Sequence, residues 1–264
     1  MDQTTLPVLA PEPRRDRATI CHQLDDYDLA AFVREAAGFG SARFGYVVTP
    51  NVDHLIRFHE SASFRALYAD AAYVLLDSRF AATLLRLLRG VRLPVCTGSD
   101  LTAALLSQVI RPHDRLVLIG ASEAQAQQLR DQFGLTDLLH HNPPMGFIRD
   151  PLAVERCLKF VEAASPFRFC FVAVGSPQQE MVAQQLRGRG VARGLALCIG
   201  ASIDFVTGAE RRAPRWMQRG GVEWFYRLMQ NPRRLARRYL VRGPRFFAYL
   251  RRAKVELRPR RQTP

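Results

Sequence analysis

The chain has 264 residues, 48% of them hydrophobic, and its 38 Lys and Arg residues against 24 Asp and Glu give a net charge of +14. This length and composition allow one large domain with a sizeable core, or one domain with an appendage. The five cysteines include no C-x-x-C pair, and the chain has no run of about 18 apolar residues. We therefore expect a protein of a reducing cytoplasm that does not span a membrane.

Short apolar runs alternate with amphipathic stretches along the chain. The apolar runs predict strands at residues 44–48, 73–76, 93–96, 116–119, 169–174 and 195–199. The amphipathic stretches predict helices at residues 28–37, 79–89, 101–110, 123–133, 152–164 and 179–187. Such alternation indicates an α/β fold with a Rossmann-like, mostly parallel sheet and helices on both faces.

Charge and composition divide the chain into three predicted regions. Residues 1–18 are rich in Pro, Arg and Asp and are expected to be disordered. Residues 19–208 form the α/β body, and residues 209–264 form a basic, aromatic-rich and helical C-terminal appendage. The last 54 residues contain 17 Lys or Arg and two acids, whereas the first 210 are close to neutral. Such a segment attracts phosphate, in nucleic acid, in anionic lipid or in a diphosphate substrate.

Small and polar residues follow the predicted strands. These turns are residues 49–51, 77–78, 97–100, 120–122, 175–177 and 200–204. In an open parallel sheet, ligands bind at the carboxyl ends of the strands, so Gly98, Asp100, Gly120 and Gly175 are candidate substrate-binding positions. The alternative is that strand-to-helix turns favour Gly, Ser and Asp in any α/β protein. That alternative is the preferred interpretation of four of these residues: Ser99, Asp100, Ser122 and Ser202.

Asp77 is harder to explain as a turn residue alone. It directly ends the apolar run 73–76, and a carboxylate at the rim of an apolar cleft can serve as a general base. The D-x-D sequence at Asp26 and Asp28 matches the metal-binding motif of some sugar transferases, but it stands at a predicted helix start. We therefore interpret both acids as helix caps. No P-loop, H-E-x-x-H or clustered Cys/His set is present.

The strand-end motifs, in their order and spacing, resemble those of the WecG/TagA/CpsF glycosyltransferases, glycosyltransferase family 26. The resemblance runs from about residue 28 to about residue 247. The matching segments are T-x-N at 49–51, Asp77, T-G-S-D-L at 97–101, G-S-P-Q-Q-E at 175–180, G-A-S-I-D-F-x-x-G at 200–208, R-A-P-R-W at 212–216, E-W-F-Y-R-L at 223–228 and N-P-R-R-L-A-R-R-Y-L at 231–240.

The resemblance implies an inverting, metal-independent enzyme that moves a sugar from a UDP-sugar to an acceptor on undecaprenyl diphosphate. The setting would be polysaccharide or exopolysaccharide synthesis, with the protein peripheral on the cytoplasmic face of the inner membrane. Carried over by position, Asp77 is the candidate base. Thr49 and Asn51 would line the substrate pocket, and Gln179 and Glu180 would contact the sugar nucleotide.

The resemblance also assigns the basic segment a role. In the family a C-terminal segment folds over the site and its arginines assist catalysis, and the matching positions are Arg227, Arg234 and Arg237. The more distal basic residues, Arg258 among them, are expected to face anionic lipid. The implied partners are the UDP-sugar, the lipid-linked acceptor and the membrane surface. No cofactor or metal ion is expected, and an assembly of identical chains stays open.

Two departures from the family pattern leave the donor open. Many members have D-G where this chain has Asp77 and Ser78, and many have an arginine where this chain has Val95. UDP-glucose, UDP-N-acetylmannosamine and its uronic acid all remain candidate donors. Two other classes would also use the basic segment: a nucleic-acid-binding protein and a non-catalytic membrane scaffold. The first leaves Thr49 and Asp77 unexplained, so no nucleic-acid partner is expected.

Overall fold

The computed structural model describes residues 21–214, 216, 217, 220, 223–230, 232–236, 243–250 and 254–260. Residues 1–18, predicted to be disordered, lie outside these ranges, and so does the candidate Arg237. Arg227 and Arg234 lie on helices whose backbone is described, but their side chains fall outside the described part of the structure.

The described strands form two sheets, and every pairing is parallel. The strands are β1 (Cys21–Asp25), β2 (Phe44–Val48), β3 (Tyr73–Val74), β4 (Leu116–Ile119), β5 (Leu138–His141), β6 (Phe169–Val172), β7 (Gly194–Cys198) and β8 (Lys254–Arg258). Six of them make the main sheet in the order β3-β2-β7-β6-β4-β5, and β1 pairs with β8. The predicted α/β class with a parallel sheet is confirmed.

Helices connect the strands. They are α1 (Leu29–Gly38), α2 (Val52–Glu60), α3 (Ala62–Ala66), α4 (Arg79–Arg89), α5 (Gly98–Ala104), α6 (Glu123–Phe133), α7 (Pro151–Ala163), α8 (Gln178–Arg189), α9 (Ser202–Val206), α10 (Glu223–Gln230), α11 (Pro232–Ala236) and α12 (Gly243–Leu250). A π-helical turn, Leu105–Val109, continues α5, and a short 3₁₀ turn, Phe147–Arg149, precedes α7. Side-chain caps fix many starts; Ser78, for example, accepts a hydrogen bond from the backbone of Ala81 at the start of α4.

Alternating side chains of the main sheet build two hydrophobic cores. In β2, Tyr46 and Val48 face a core that includes residues of α2, α4, α7, α8 and α12. Val47 faces the other core, which includes residues of α1, α5, α6 and α9. Because successive residues of a strand point to opposite faces, a strand buried along its whole length must be covered on both sides. The prediction of helices on both faces is confirmed.

The predicted strand at residues 93–96 is wrong. Its apolar residues are partly or fully buried, but the segment is irregular, and Cys96 donates a single backbone hydrogen bond to Leu76. Three strands were missed. Of these, β5 is a sheet edge whose Leu139 is exposed and whose last two residues are histidines, so it lacks the apolar pattern of a central strand.

The C-terminal part packs onto the body through both a strand and a helix. Asp25 of β1, 3% exposed, accepts hydrogen bonds from the Val74 backbone at 2.6 Å and from Arg258 of β8 at 2.7 Å. Phe246 and Leu250 of α12 are buried in the core shared with α2 and α4. The expectation that Arg258 faces lipid is therefore wrong, because its guanidinium compensates a buried carboxylate. No helix in the described ranges is long and apolar enough to cross a membrane.

Candidate active site

The strand order gathers the predicted strand-end residues along one edge of the main sheet. Reading across the sheet, Asp77 follows β3, Thr49 follows β2, Gly200 follows β7, Gly175 lies beyond β6 and Gly120 follows β4. The chain leaves β4 toward β5 and leaves β6 toward β7, in opposite directions along the sheet. Such a reversal opens a crevice beside the strand ends, which is where open α/β sheets bind ligands.

Gly98, the first residue of α5, lies against the polar groups of this edge. A Cβ atom on Gly98 would stand 3.2 Å from Thr49 Oγ1, 3.4 Å from Ser202 Oγ and 3.7 Å from Asp77 Oδ2. Thr49 is itself fixed, since its hydroxyl donates to the Cys198 carbonyl at 3.1 Å. Three side-chain oxygens from different elements thus lie close to Gly98, and a larger residue at this position would crowd them.

Asn51 caps the helix that follows Thr49. Its carboxamide oxygen accepts from the Asp53 backbone at 3.1 Å, and its own backbone N–H donates to His54 Nδ1 at 3.2 Å. This reciprocal arrangement is a capping box. Asn51 therefore fixes the turn between β2 and α2, two residues after Thr49.

Gln179 and Glu180 have different environments although both are buried. Gln179 accepts a hydrogen bond from the Gly200 backbone at 2.9 Å and donates one to Glu180 at 3.0 Å. Glu180 is 1% exposed, with His54 Nε2 3.6 Å from its carboxylate. Burial raises the pKa of Glu180, but the His54 imidazole and the Gln179 amide outweigh it and hold that pKa below its ordinary value. Glu180 thus lies behind Gln179 and orients its amide.

Asp100 joins two arginines that the sequence reasoning did not assign to the site. Its carboxylate pairs with Arg79 at 2.9 Å and with Arg212 at 2.8 Å, and it accepts from the Thr97 hydroxyl at 2.7 Å. Arg212 also donates to Ser99 at 2.9 Å. Burial raises the pKa of Asp100, yet these hydrogen bonds and the Arg212 charge prevail and lower it. The arrangement ties the segment after α9 to the first turn of α5.

Gly120 and Gly175 differ in the space around them. Both have positive φ angles, 88° and 79°, a region that favours glycine. A Cβ on Gly120 would stand 3.0 Å from the backbone of Ala173, whereas a Cβ on Gly175 would meet nothing within 4 Å. Gly120 is therefore needed for close packing of the turn, and Gly175 leaves open space at the crevice.

The D-x-D acids do not form a metal site with other described residues. Asp28 caps α1 by accepting from the Ala31 backbone at 2.8 Å, as predicted. Asp26 does not cap; its backbone bonds to Arg258 and Arg260 and extends the β1-β8 pairing. Within the described ranges, no group of three or more His, Cys, Asp or Glu side chains is placed to hold a metal ion.

The geometry therefore brings together Thr49, Asp77, Gly98 and Ser202, with Gln179 and Gly200 beside them. Sequence reasoning missed Arg79 and Arg212 as neighbours of this group. Arg212 could have been found from the sequence, because it is the first residue of the R-A-P-R-W segment. Arg79 could not, because it looks like an ordinary first residue of a helix. The candidate arginines of α10 and α11 stay predictions.

Comparison with known protein families identifies a family for nearly the whole chain. The family described as "Glycosyl transferase WecG/TagA/CpsF family" matches residues 19–260. The match includes the strand-end residues, the Asp100 cluster and most of the basic segment.

Proposed function

The chain belongs to the WecG/TagA/CpsF family of glycosyltransferases, and we propose that it transfers a sugar, with inversion, from a UDP-sugar to an acceptor on undecaprenyl diphosphate. Family membership makes it an enzyme of cell-surface polysaccharide synthesis that uses a nucleotide-sugar donor and a lipid-linked acceptor. The finer proposal is that the donor nucleotide is UDP, that no metal takes part, and that the enzyme works peripherally at the cytoplasmic face of the membrane. Residues 19–208 would be the catalytic body, and residues 209–264 would close the site.

The observation that carries the proposal is the group of three side-chain oxygens beside Gly98. Asp77, Thr49 and Ser202 each place an oxygen within 3.7 Å of the position that a Cβ on Gly98 would take, and Asp77 supplies the carboxylate. The space in front of these oxygens is the proposed acceptor site. A general base must lie within hydrogen-bond reach of the proton that it accepts. We assign the acceptor hydroxyl to this space, with Thr49 positioning it and Asp77 receiving its proton.

The donor would lie in the adjoining crevice. Gly175 leaves open space there, and α8 begins three residues later with no side-chain cap on its first turn. Uncapped N–H groups at a helix N-terminus favour the negative charge of a diphosphate. Gln179, held by Glu180 and Gly200, would then contact the sugar nucleotide.

The chemistry follows from these positions. The acceptor oxygen attacks the anomeric carbon as its proton passes to Asp77, and the bond from that carbon to the diphosphate oxygen breaks. The electron pair leaves with UDP, whose growing charge needs positive groups. We propose Arg227, Arg234 and Arg237 for this role, by position in the family, with Arg212 holding the start of their segment against α5.

The test measures transfer from each candidate UDP-sugar to a synthetic acceptor on a short prenyl diphosphate. The Asp77→Asn protein should keep its fold and lose roughly 10²–10⁴ in rate, because its amide cannot accept the proton. Asp131→Asn is the matched control, since Asp131 is an exposed aspartate on α6 and its change should leave the rate unaltered. A near-normal rate for folded Asp77→Asn would remove Asp77 from the mechanism.

A further inference from the structure

An exposed apolar surface that the proposed reaction does not use lies on α4, the helix that begins two residues after Asp77. Its Ala81 and Leu85 are buried in the core, but Leu87 and Leu88 near its C-terminus are 75% and 60% exposed. Two adjacent leucines with this exposure are costly in water unless something covers them.

The exposed leucines extend an apolar face that is covered at its other end. Phe80, Leu84, Leu87 and Leu88 recur at the spacing of one helix face. Phe80 contacts the rings of Trp224, Phe246 and Phe247 at 6.5 Å between centroids. The C-terminal helices therefore cover the first turn of this face, and its last turn remains uncovered by any described residue.

The first turn of this face also leaves apolar surface exposed. Phe247 of α12 is 49% exposed where it meets Phe80. We define the apolar strip as Phe80, Leu84, Leu87 and Leu88 of α4, with Phe247 of α12 beside Phe80. Because α4 and α12 are far apart in the sequence, the fold assembles the strip.

The positive charge around the strip indicates which kind of partner it binds. From Arg79 to Val95 the chain has four arginines and no acid. Arg86 and Arg92 are exposed near the leucines, whereas Arg89 donates a hydrogen bond to the Leu250 carbonyl at 3.0 Å. A second copy would bring these arginines face to face in a symmetric interface, and like charges oppose such pairing. An anionic lipid surface matches both features, because leucines enter the acyl boundary while arginines contact headgroups.

We propose that the apolar strip, with Arg86 and Arg92 beside it, is a surface that inserts into an anionic lipid monolayer. The insertion surface thus includes a helix of the α/β body, and the basic C-terminal segment is not the sole contact. Leu87 is eight residues beyond Arg79, the first residue of α4, which places it about 12 Å along the helix axis from the end nearer Asp77. This distance is relevant to the reaction only on the basis of the proposed function, because a lipid-linked acceptor must reach Asp77 from the membrane.

The test compares binding of the full chain to vesicles of phosphatidylcholine alone and with phosphatidylglycerol, by co-sedimentation. The Leu87→Ser/Leu88→Ser protein should bind mixed vesicles at least about tenfold more weakly, because two leucines lose their apolar burial. The matched control is Met145→Ser/Leu152→Ser, which alters exposed apolar residues, 103% and 70% exposed, on another element. The control should bind like the unaltered chain. Arg86→Glu/Arg92→Glu should remove the preference for phosphatidylglycerol.

A second measurement reports insertion directly. An environment-sensitive fluorophore at Leu88→Cys should shift its emission to shorter wavelength on mixed vesicles, and the same fluorophore at Leu152→Cys should not. Equal vesicle binding by both serine variants would overturn the proposal. A change of oligomeric state in the Leu87→Ser/Leu88→Ser protein, with unaltered vesicle binding, would also overturn it and assign the strip to a second copy.

Activity separates this proposal from the proposed function. On a soluble short-chain acceptor, the Leu87→Ser/Leu88→Ser protein should transfer sugar at the normal rate. If no variant and no unaltered protein transfers sugar while vesicle binding behaves as expected, the proposed reaction fails and the insertion surface is supported.

Discussion

Replacement of Gly98 by alanine tests the assignment of the acceptor space most sharply. The new methyl carbon would stand 3.2 Å from Thr49 Oγ1 and 3.7 Å from Asp77 Oδ2, so it would crowd the oxygens that are proposed to position and deprotonate the acceptor hydroxyl. Displacement of a reacting group by about 1 Å can cost about 10² in rate. We expect kcat/KM to fall by roughly that factor or more.

The same change should affect stability little. Gly98 starts α5, and an alanine in a helix is favoured over glycine by up to about 1 kcal/mol, which offsets the tight contact with the Thr49 hydroxyl. Gly188→Ala in α8 is the control, because a Cβ there meets nothing within 4 Å. It should raise the free energy of unfolding and leave kcat/KM unchanged. Normal turnover by Gly98→Ala would refute the assignment of this space to the acceptor.

Three further predictions concern the Asp100 ion pairs, the role of a metal and the effect of pH. Asp100→Asn should weaken the ion pairs with Arg79 and Arg212 and lower the free energy of unfolding by about 1–2 kcal/mol after allowance for solvent screening. Urea titration measures this change, and an unchanged midpoint would show that the two ion pairs do not stabilise the fold. Transfer should survive excess EDTA, and loss of activity with rescue by Mg²⁺ or Mn²⁺ would show that a metal assists departure of UDP. Burial lowers the pKa of His22 to about 3 and of His59 to about 4, each from 6.5. The unfolded chain therefore binds more protons below pH 6.5, so Tm should fall from about pH 6.5 toward pH 4. The decline should be shallower in His59→Phe, and an equal decline would exclude His59 as its cause.

The elements that could be predicted from sequence are those with strong local patterns. Strands at residues 44–48 and 116–119, and helices at residues 79–89 and 123–133, have the predicted bounds. Each combines an apolar run or helical period with a clear cap or turn. The pairing of β1 with β8 could not be predicted, because it joins residues more than 200 positions apart. The short β8 alternates polar and apolar residues, but its partner β1 does not.

The candidate site likewise has some features that can be predicted from the sequence and others that cannot. Parallel strands end at one edge of a sheet, so the proximity of Thr49 and Asp77 follows from the predicted topology. The burial of Glu180 behind Gln179 does not, because it depends on how α2 and α8 pack together. The pairing of Asp100 with Arg212 also depends on the path of the chain after α9, which no local pattern specifies.

The basic segment has less free positive charge than its composition suggests, and this affects how it can be studied. Arg212, Arg245 and Arg258 pair with carboxylates of the body, namely Asp100, Glu60 and Asp25. Asp25 is the critical case, since it is 3% exposed and loss of one partner of a buried ion pair costs about 3–5 kcal/mol. Removal of the basic segment would also take Phe246 and Leu250 out of the core.

We therefore expect a chain that ends after Gly208 to unfold at a markedly lower urea concentration than the full chain. Its loss of activity would then not show whether the segment closes the site or only stabilises the fold. A truncated body as stable as the full chain would show that the segment only rests on the surface. Point changes at Arg227, Arg234 and Arg237, measured on a soluble acceptor, are needed to isolate the catalytic role.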